Sequence, residues 1–264
     1  MNIPIYQVDA FTSSVFGGNP AAVMPLAHWL EDRQLQALAA ENNLSETAFL
    51  VAADNAWELR WFTPSIEVDL CGHATLASAH ALVQHMGAQQ PELVFATRSG
   101  NLSVTHSHGS YSLDFPAYTL TPDAVDVAVC DALGGMASEV WQVEGTCKKL
   151  YVFEFEADVA RLAPDFAALV AASAFNVIAT APGDECDFVS RFFGPHVGIN
   201  EDPVTGSAHC ALVPYWSSRL GQARMSARQI SERGGRLDCT LQGDRVFMTG
   251  EATTYMVGEV SLAL

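Results

Sequence analysis

The chain has 264 residues, enough to bury a large hydrophobic core and to divide into two domains. Hydrophobic residues make up 49% and charged residues 16% of the sequence, a composition that excludes a disordered chain. The formal net charge of −17 makes nucleic acid and anionic membranes poor partners, because both are bound through basic surfaces. Without a signal-like start or an apolar run long enough to span a membrane, we expect a cytoplasmic protein.

The cysteines and histidines do not have the spacing of a metal site. No two of the six cysteines form a Cys-x-x-Cys pair, and we expect all of them to be free thiols: Cys71, Cys130, Cys147, Cys186, Cys210 and Cys239. His106 and His108 come nearest to a metal-binding pair. They lie between two alternating segments, however, and an exposed hairpin turn explains them better.

The first half of the chain is predicted to consist of short strands and two helices. Alternating or apolar runs predict strands at residues 3–10, 21–24, 45–51, 58–62, 93–97, 102–106 and 111–115. Leucines at helical spacing among charged residues predict an amphipathic surface helix at 29–42. Two glycines and a proline at 17–20 mark a tight turn.

A second helix is predicted to begin near Gly72 and to be buried on all sides. Apolar or small residues cover nearly its whole circumference: Ala74, Leu76, Ala77, Ala79, Ala81, Leu82 and Val83. Such a helix is enclosed rather than laid on one face of a sheet. Its first turn carries Gly72, His73 and Thr75, and unpaired backbone N–H groups at a helix start attract anions.

The second half is predicted to begin after a linker at 116–122, which two prolines bracket. Strands are expected around Val143 and at 150–154, 175–179, 187–193, 237–242, 245–249 and 255–262, with a helix at 158–171. We therefore expect an N-terminal domain at 1–117 and a C-terminal domain at 123–264. The last strand could pack on the other half.

The two halves repeat one another in sequence. Arg-Trp-Phe-Thr-Pro at 60–64 is answered by Arg-Phe-Phe-Gly-Pro at 191–195, Gly72 by Gly206, and Arg98 by Arg233, at offsets of 131 to 135 residues. That period is too long for a solenoid or propeller. The sequence thus predicts an α+β fold in two copies, each a curled, mostly antiparallel, barrel-like sheet around one helix. Each helix start would lie at a shared cleft.

Glu46 is the first candidate for chemistry. It stands immediately before the apolar run at 48–51, and a carboxyl group in so buried a setting suits proton transfer near neutral pH. A charged strand end or a cap explains the same pattern.

The helix starts supply four further candidates. His73 could donate a hydrogen bond to a substrate, or could simply be a satisfied helix-start histidine. Asp202 could be a turn residue and Ser207 an N-cap, although both flank Gly206. Cys71 could act as a base or nucleophile, because helix N-termini lower the pKa of a thiol.

Two remaining observations bear on the site. The counterpart of Cys71 in the second half is Thr205, so a mechanism that needs two thiols lacks its second member. The turn at 17–20 could present Asn19 to the same cleft, although the turn by itself explains these residues.

Six segments carry a resemblance to a known family: residues 8–11, 17–21, 43–49, 60–64, 69–75 and 201–209. Together they resemble the PhzF-like family, named for the phenazine-biosynthesis enzyme trans-2,3-dihydro-3-hydroxyanthranilate isomerase. The resemblance covers nearly the whole chain. It implies the fold of the related diaminopimelate epimerases, with two similar barrel-like domains that each enclose a helix and a site between them.

The resemblance also implies roles for the candidates. Glu46 matches the general acid/base of the family, and the substrate-binding positions are His73, Asp202, Ser207 and the backbone N–H groups of Gly72 and Gly206. The implied activity is isomerisation of a small, cyclic carboxylic acid by moving a proton between carbons, without metal or organic cofactor. The resemblance further implies a small anionic substrate and a homodimer.

Two alternatives stay open from the sequence. The first is an amino-acid epimerase or racemase that uses Cys71, which stands where the epimerases carry one of two catalytic cysteines; Asp202 could then be its partner. The second is a non-catalytic protein that binds a small molecule on the same fold.

Overall fold

The computed structural model describes residues 1–262. They form two compact units, one of residues 1–114 with 249–262 and one of residues 115–248. Within the described residues, no helix has the length and hydropathy needed to cross a membrane.

The helices and strands are as follows. The strands are β1 (Asn2–Ala10), β2 (Asn19–Leu26), β3 (Glu46–Ala52), β4 (Trp57–Phe62), β5 (Glu67–Val68), β6 (Glu92–Thr97), β7 (Gly100–Ser107), β8 (Ser110–Pro116), β9 (Leu120–Asp123), β10 (Glu139–Val143), β11 (Lys148–Val152), β12 (Asn176–Pro182), β13 (Phe188–Gly194), β14 (Ile199–Asp202), β15 (Arg224–Gln229), β16 (Gly235–Gln242) and β17 (Arg245–Ser261). The helices are α1 (Asp32–Asn42), α2 (Gly72–His85), α3 (Val127–Leu133), α4 (Glu156–Ala160), α5 (Phe166–Ala172) and α6 (Gly206–Leu220).

The first unit is a closed, mostly antiparallel sheet wrapped around α2. β1 pairs antiparallel with β17 and β2, β3 with β4, β6 with β7, and β7 with β8, whereas β2–β3 and β4–β6 are parallel. A further pairing of β8 with β17 closes the sheet. All residues of α2 from Gly72 to Leu82 are buried, which confirms the predicted enclosed helix.

The second unit repeats this order of strand directions. β10–β11, β12–β13 and β15–β16 are antiparallel, whereas β11–β12 and β13–β15 are parallel. The corresponding strands of the first unit are β1–β2, β3–β4 and β6–β7, with parallel contacts at the same two places. Most residues of α6 are buried, among them Gly206 and Trp216. The duplicated α+β fold predicted from the sequence is therefore confirmed.

A bidentate ion pair marks the repeat at the level of side chains. Arg60 donates from Nε and Nη2 to the two carboxylate oxygens of Glu67, each at 2.7 Å. Arg191 holds Glu201 in the same way, at 2.7 and 2.9 Å. Because a planar guanidinium matches a carboxylate in this geometry, each pair fixes the short strand that leads to its buried helix.

The segment predicted as a linker, residues 116–122, is hydrogen-bonded to α6 at Tyr118. Pro214 lies inside α6, and a proline has no N–H to donate to the carbonyl four residues earlier. That carbonyl, of Cys210, instead accepts from the backbone N–H of Tyr118 at 2.9 Å. Leu120 then opens β9, which pairs antiparallel with β10. Because Pro214 cannot donate to it, the carbonyl of Cys210 is free to accept from the chain that enters the second unit.

Two predicted elements are wrong. The helix expected at 158–171 is divided into α4 and α5: Pro164 lies between them, where it lacks an N–H for the helix and disfavours helical geometry in the preceding residue, and Asp165 caps α5 by accepting from Ala168 N–H at 3.0 Å. The strands expected at 245–249 and 255–262 are one strand, β17, which pairs with β1 from Ala252 to Ser261.

Candidate active site

Glu46 and His73 form the centre of the site in the first unit. Glu46 opens β3 and His73 is the second residue of α2; their side chains are only 11% and 5% exposed. The carboxylate Oε2 lies 3.1 Å from Nε2 of His73. Among the described residues neither atom has a further hydrogen-bond partner. A carboxyl group and an imidazole are thus paired in a water-poor environment, which is an arrangement suited to proton transfer.

The imidazole is more basic than an ordinary histidine. Burial acts to lower the pKa of His73, but the contacts with Cys71 and Glu46, including the negative charge of a Glu46 carboxylate, raise it above its usual value. A positive charge on His73 would offset the negative charge of Glu46 and would also attract the carboxylate of a substrate.

Cys71 lies on the other side of the ring. Its Sγ is 3.6 Å from Nδ1 of His73, and the residue is buried. Burial, reinforced by the charge of Glu46, raises the pKa of the Cys71 thiol. The sequence had suggested the opposite, because Cys71 is the N-cap of α2, but at this position desolvation outweighs the helix N-terminus. Cys71 is therefore held as a neutral thiol.

Asn19 completes the surroundings of the ring. It is the first residue of β2 and is fully buried, and its Nδ2 lies 3.1 Å from Nδ1 of His73. The structure thus brings four predicted site residues together in the first unit, from three separate segments: Asn19, Glu46, Cys71 and His73.

Three of these residues carry donors of the kind that bind metals, but their geometry does not suit one ion. Glu46, Cys71 and His73 bring one donor atom each within 4.8 Å of one another. The carboxylate approaches Nε2 and the thiol approaches Nδ1, so a single ion could not bind all three with the ring in its present orientation. His106 and His108 are not a metal pair either, because His106 contacts the carbonyl of Gln90 and His108 lies in the hairpin turn after β7.

The start of α2 offers backbone donors beside these side chains. Cys71 makes no side-chain capping bond, and the first intrahelical contact at this end runs from Thr75 N–H to the carbonyl of Cys71. The N–H groups of Gly72 and His73 consequently have no acceptor within the helix. Together with the helix dipole they favour an anion at this end.

The second unit builds a different helix start from corresponding positions. Thr205 is the N-cap of α6, and its Oγ1 donates to Oδ2 of Asp202, the last residue of β14. Gly206 begins the helix, and Ser207 is half-buried without a hydrogen bond to any described residue. Ser207 is therefore not the N-cap that the sequence allowed. Its hydroxyl remains available to a ligand.

Gln229 is a residue of this second group that the sequence did not reveal. Its Oε1 accepts from the backbone N–H of Thr205 at 2.8 Å, and its Nε2 donates to the carbonyl of Asp202 at 2.7 Å. The side chain is almost completely buried on β15. It fixes the turn between β14 and α6. No local motif marks Gln229, because the contact joins residues that are 24 positions apart.

The chain is similar to proteins of known sequence and structure over its full length. The phenazine biosynthesis-like protein family, PhzC-PhzF, matches residues 8–258. An uncharacterized isomerase of Pseudomonas aeruginosa is 52% identical over 99% of this chain and all of its own length. A crystal structure of a PhzF-family phenazine biosynthesis protein from Enterococcus faecalis is 46% identical, covers 99% of this chain and 100% of its own, and superimposes with a TM-score of 0.96.

A more distant structure extends the similarity of the fold. A hydroxyproline epimerase from Agrobacterium vitis is 13% identical, with a TM-score of 0.64 over 99% of this chain and 93% of its own. That identity shows a common fold and nothing about activity. The common fold agrees with the epimerase-like architecture expected from the sequence. With a family match and close relatives that both span nearly the whole sequence, this chain belongs to the phenazine biosynthesis-like, or PhzC-PhzF, family.

Proposed function

We propose that the protein is a cofactor-independent isomerase that moves a proton between carbons of a small, cyclic carboxylic acid, with Glu46 as the general acid/base. The observation that carries the proposal is the buried contact of 3.1 Å between the Glu46 carboxylate and the imidazole of His73. The isomerase name of a relative with 52% identity supports the reaction class.

The proposed reaction needs one group that both removes and returns a proton. The Glu46 carboxylate takes a proton from one carbon of the substrate and becomes a carboxylic acid. It then gives the proton to another carbon of the same conjugated system, so that the enzyme ends in its starting state. Charge that develops on the substrate carboxylate meanwhile is stabilised by fixed donors.

Several groups would supply those donors. In the first unit these are His73 and the backbone N–H of Gly72; in the second, Ser207 and the N–H of Gly206 are donors at the corresponding helix start, and Asp202 beside them is an acceptor. Each group occupies the start of the buried helix of its unit, where unpaired backbone N–H groups favour an anion. A helix N-terminus of this kind would allow an anion to bind in spite of a net charge of −17.

The epimerase alternative, with Cys71 as a base, is less well supported. A base of this kind must lose its proton readily, whereas burial raises the pKa of Cys71. Similarity to an epimerase at 13% identity concerns the fold alone. A non-catalytic binding protein would have no need for a carboxyl group and an imidazole paired out of contact with water.

The test is proton exchange on the substrate of the proposed reaction. Wild-type protein is incubated with dihydro-hydroxyanthranilic acid in deuterated water, and carbon-bound deuterium and the double-bond position are followed by NMR. We expect turnover that falls by about 10²–10⁴-fold in Glu46→Gln, which keeps the shape but cannot carry the proton. Glu92→Gln, at an exposed position that opens β6, is the matched control and should behave as wild type.

Two outcomes would contradict the proposal in different ways. Full turnover by Glu46→Gln would show that another group is the base. No turnover by the wild type would exclude this acid, and a panel of cyclic and amino acids would then be screened for Glu46-dependent deuterium exchange. Absence of exchange across the panel would favour the binding protein. The homodimer and the cytoplasmic location stay predictions, the first of which light scattering would test.

A further inference from the structure

Both nitrogens of the His73 imidazole are in contact with buried side chains. Nε2 lies 3.1 Å from the carboxylate of Glu46, and Nδ1 lies 3.1 Å from the amide nitrogen of Asn19. Cys71 approaches Nδ1 at 3.6 Å. Of these three neighbours, Glu46 and Cys71 can carry a charge, and Asn19 is neutral but can present either a donor or an acceptor.

The contacts at Nδ1 decide where the proton of a neutral ring lies. With the amide nitrogen of Asn19 facing Nδ1, a group that is only a donor, the neutral ring accepts at Nδ1 and is unprotonated there. The thiol of Cys71 is a second donor on this side, because burial keeps it protonated. The ring proton then lies on Nε2, where it points at the carboxylate of Glu46.

A rotation of the Asn19 amide would allow a second state. The oxygen and nitrogen of an amide are nearly the same size, and turning the group by 180° exchanges a donor for an acceptor at almost the same position. Nδ1 could then carry a proton and donate it to Oδ1 of Asn19. In this state His73 is a cation, as the raised pKa of the ring allows.

The chain holds Asn19 in place by a constrained turn. A Cβ at Gly18 would lie 2.1 Å from the carbonyl oxygen of Ala10, and Gly18 has φ of +62°. Phe11 has a positive φ of 63° although it is a bulky, buried residue. The backbone of Asn19 is paired with Ala10 in the β1–β2 register. Strain of this kind persists where the surrounding structure fixes a functional group.

We propose that Asn19 is the positioning residue of the site: its amide holds His73 with the Nε2 proton toward Glu46, and amide rotation admits the doubly protonated ring. The catalytic importance of this role of Asn19 rests on the proposed function, in which Glu46 is the general acid/base. It assigns Asn19 a role through His73, in place of the direct substrate contact expected from the sequence. The His73 ring could thereby change between a neutral donor and a cation beside Glu46 without a movement of the backbone.

The first test uses the wild-type protein and no substrate, so its outcome does not depend on the proposed reaction. Nitrogen-15 NMR of histidine-labelled protein reports which ring nitrogen carries the proton, with the His73 signals assigned by their loss in His73→Gln. Above the pKa of His73 we expect the neutral ring to carry its proton on Nε2. A proton on Nδ1 in the neutral ring would overturn the proposal.

The second test changes what Asn19 can do. Asn19→Asp places an acceptor at Nδ1 and should raise the pKa of His73 by about one to three. Asn101→Asp adds the same charge at an exposed position of β7 and should leave the His73 titration unchanged. Equal titrations of His73 in both variants would overturn the proposal.

A third variant covers the case in which Asn19→Asp does not fold. Asn19→Ala removes both the donor and the acceptor at Nδ1. We expect the pKa of His73 to fall in this variant, because the doubly protonated ring loses its acceptor at Nδ1, whereas Glu46 and Cys71 still favour the proton of the neutral ring on Nε2. A pKa of His73 equal to that of the wild type would overturn the proposal.

Discussion

The carboxylate of Glu46 lies 3.1 Å from the imidazole of His73, although one residue opens β3 and the other belongs to α2. Both side chains are almost fully buried in the first unit. Attraction between two such groups is strong because little water screens it. Each neighbour of this pair therefore influences its protonation, and the predictions below address those neighbours and the segments that hold them.

Cys71→Ala should leave the proposed reaction nearly intact. The thiol is held neutral by burial, and in the proposed mechanism it transfers no proton. We expect turnover within about tenfold of wild type, a smaller change than the 10²–10⁴-fold typical of a lost acid or base. The measurement is the deuterium-exchange assay, with Cys239→Ala as a control for the loss of a buried thiol. A loss of several hundredfold in Cys71→Ala alone would favour the epimerase-like mechanism.

His209 should make the protein lose stability in acid. Burial lowers its pKa to about 4, and Nδ1 contacts the carbonyl of Thr205. An unfolded histidine has a pKa near 6.5, so between pH 6.5 and 4 the unfolded chain binds more protons and stability falls as pH falls. From pH 7 to 4 we expect wild type to lose about 3 kcal/mol more unfolding free energy than His209→Gln.

The measurement is urea denaturation across this pH range. His108→Gln, at an exposed turn position, should follow the wild-type curve. Parallel curves for wild type and His209→Gln would show that His209 does not couple folding to protonation.

Gly18→Ala should be more destabilising than an ordinary turn substitution. Its Cβ would lie 2.1 Å from the carbonyl oxygen of Ala10, whereas a Cβ at Gly109, which also has positive φ, would meet nothing within 4 Å. Gly109→Ala should therefore lower the unfolding free energy by only about 1 kcal/mol, the conformational cost of placing alanine at a positive φ. Gly18→Ala should cost about 1–3 kcal/mol more, because the backbone must move. Equal urea midpoints for the two variants would contradict the close approach at Gly18.

Gln229→Leu should weaken the turn before α6. The substitution leaves the N–H of Thr205 and the carbonyl of Asp202 buried without their partner. We expect a loss of about 2–6 kcal/mol of unfolding free energy, since each of the two buried unpaired groups costs about 1–3 kcal/mol. Gln222→Leu, which removes an exposed hydrogen bond to Asp187, should cost less than about 1 kcal/mol. Equal losses in the two variants would show that Gln229 does not hold this turn.

The local pattern of apolar, small and charged residues was sufficient to predict much of the fold. A helix that is small and apolar around its circumference could only be enclosed, and α2 is buried from Gly72 to Leu82. The repeated Arg-x-Phe segments predicted a duplication, and both arginines hold a glutamate in the same bidentate geometry. The spacing of apolar residues predicted one helix at 158–171, and this was wrong. Pro164 divides that segment into two helices, although the apolar spacing continues past it.

The sequence by itself determined the duplicated architecture and the two helix starts, because these depend on residue type and spacing within short segments; it offered Glu46 as a candidate acid through the family resemblance. Only the tertiary structure decided how the candidates act on one another. Asn19 and Glu46 come from two other segments than Cys71 and His73, and which ring nitrogen of His73 each neighbour contacts depends on the packing of β2 and β3 against α2. Burial likewise reversed the expected pKa change of Cys71, because desolvation is a property of the folded surroundings.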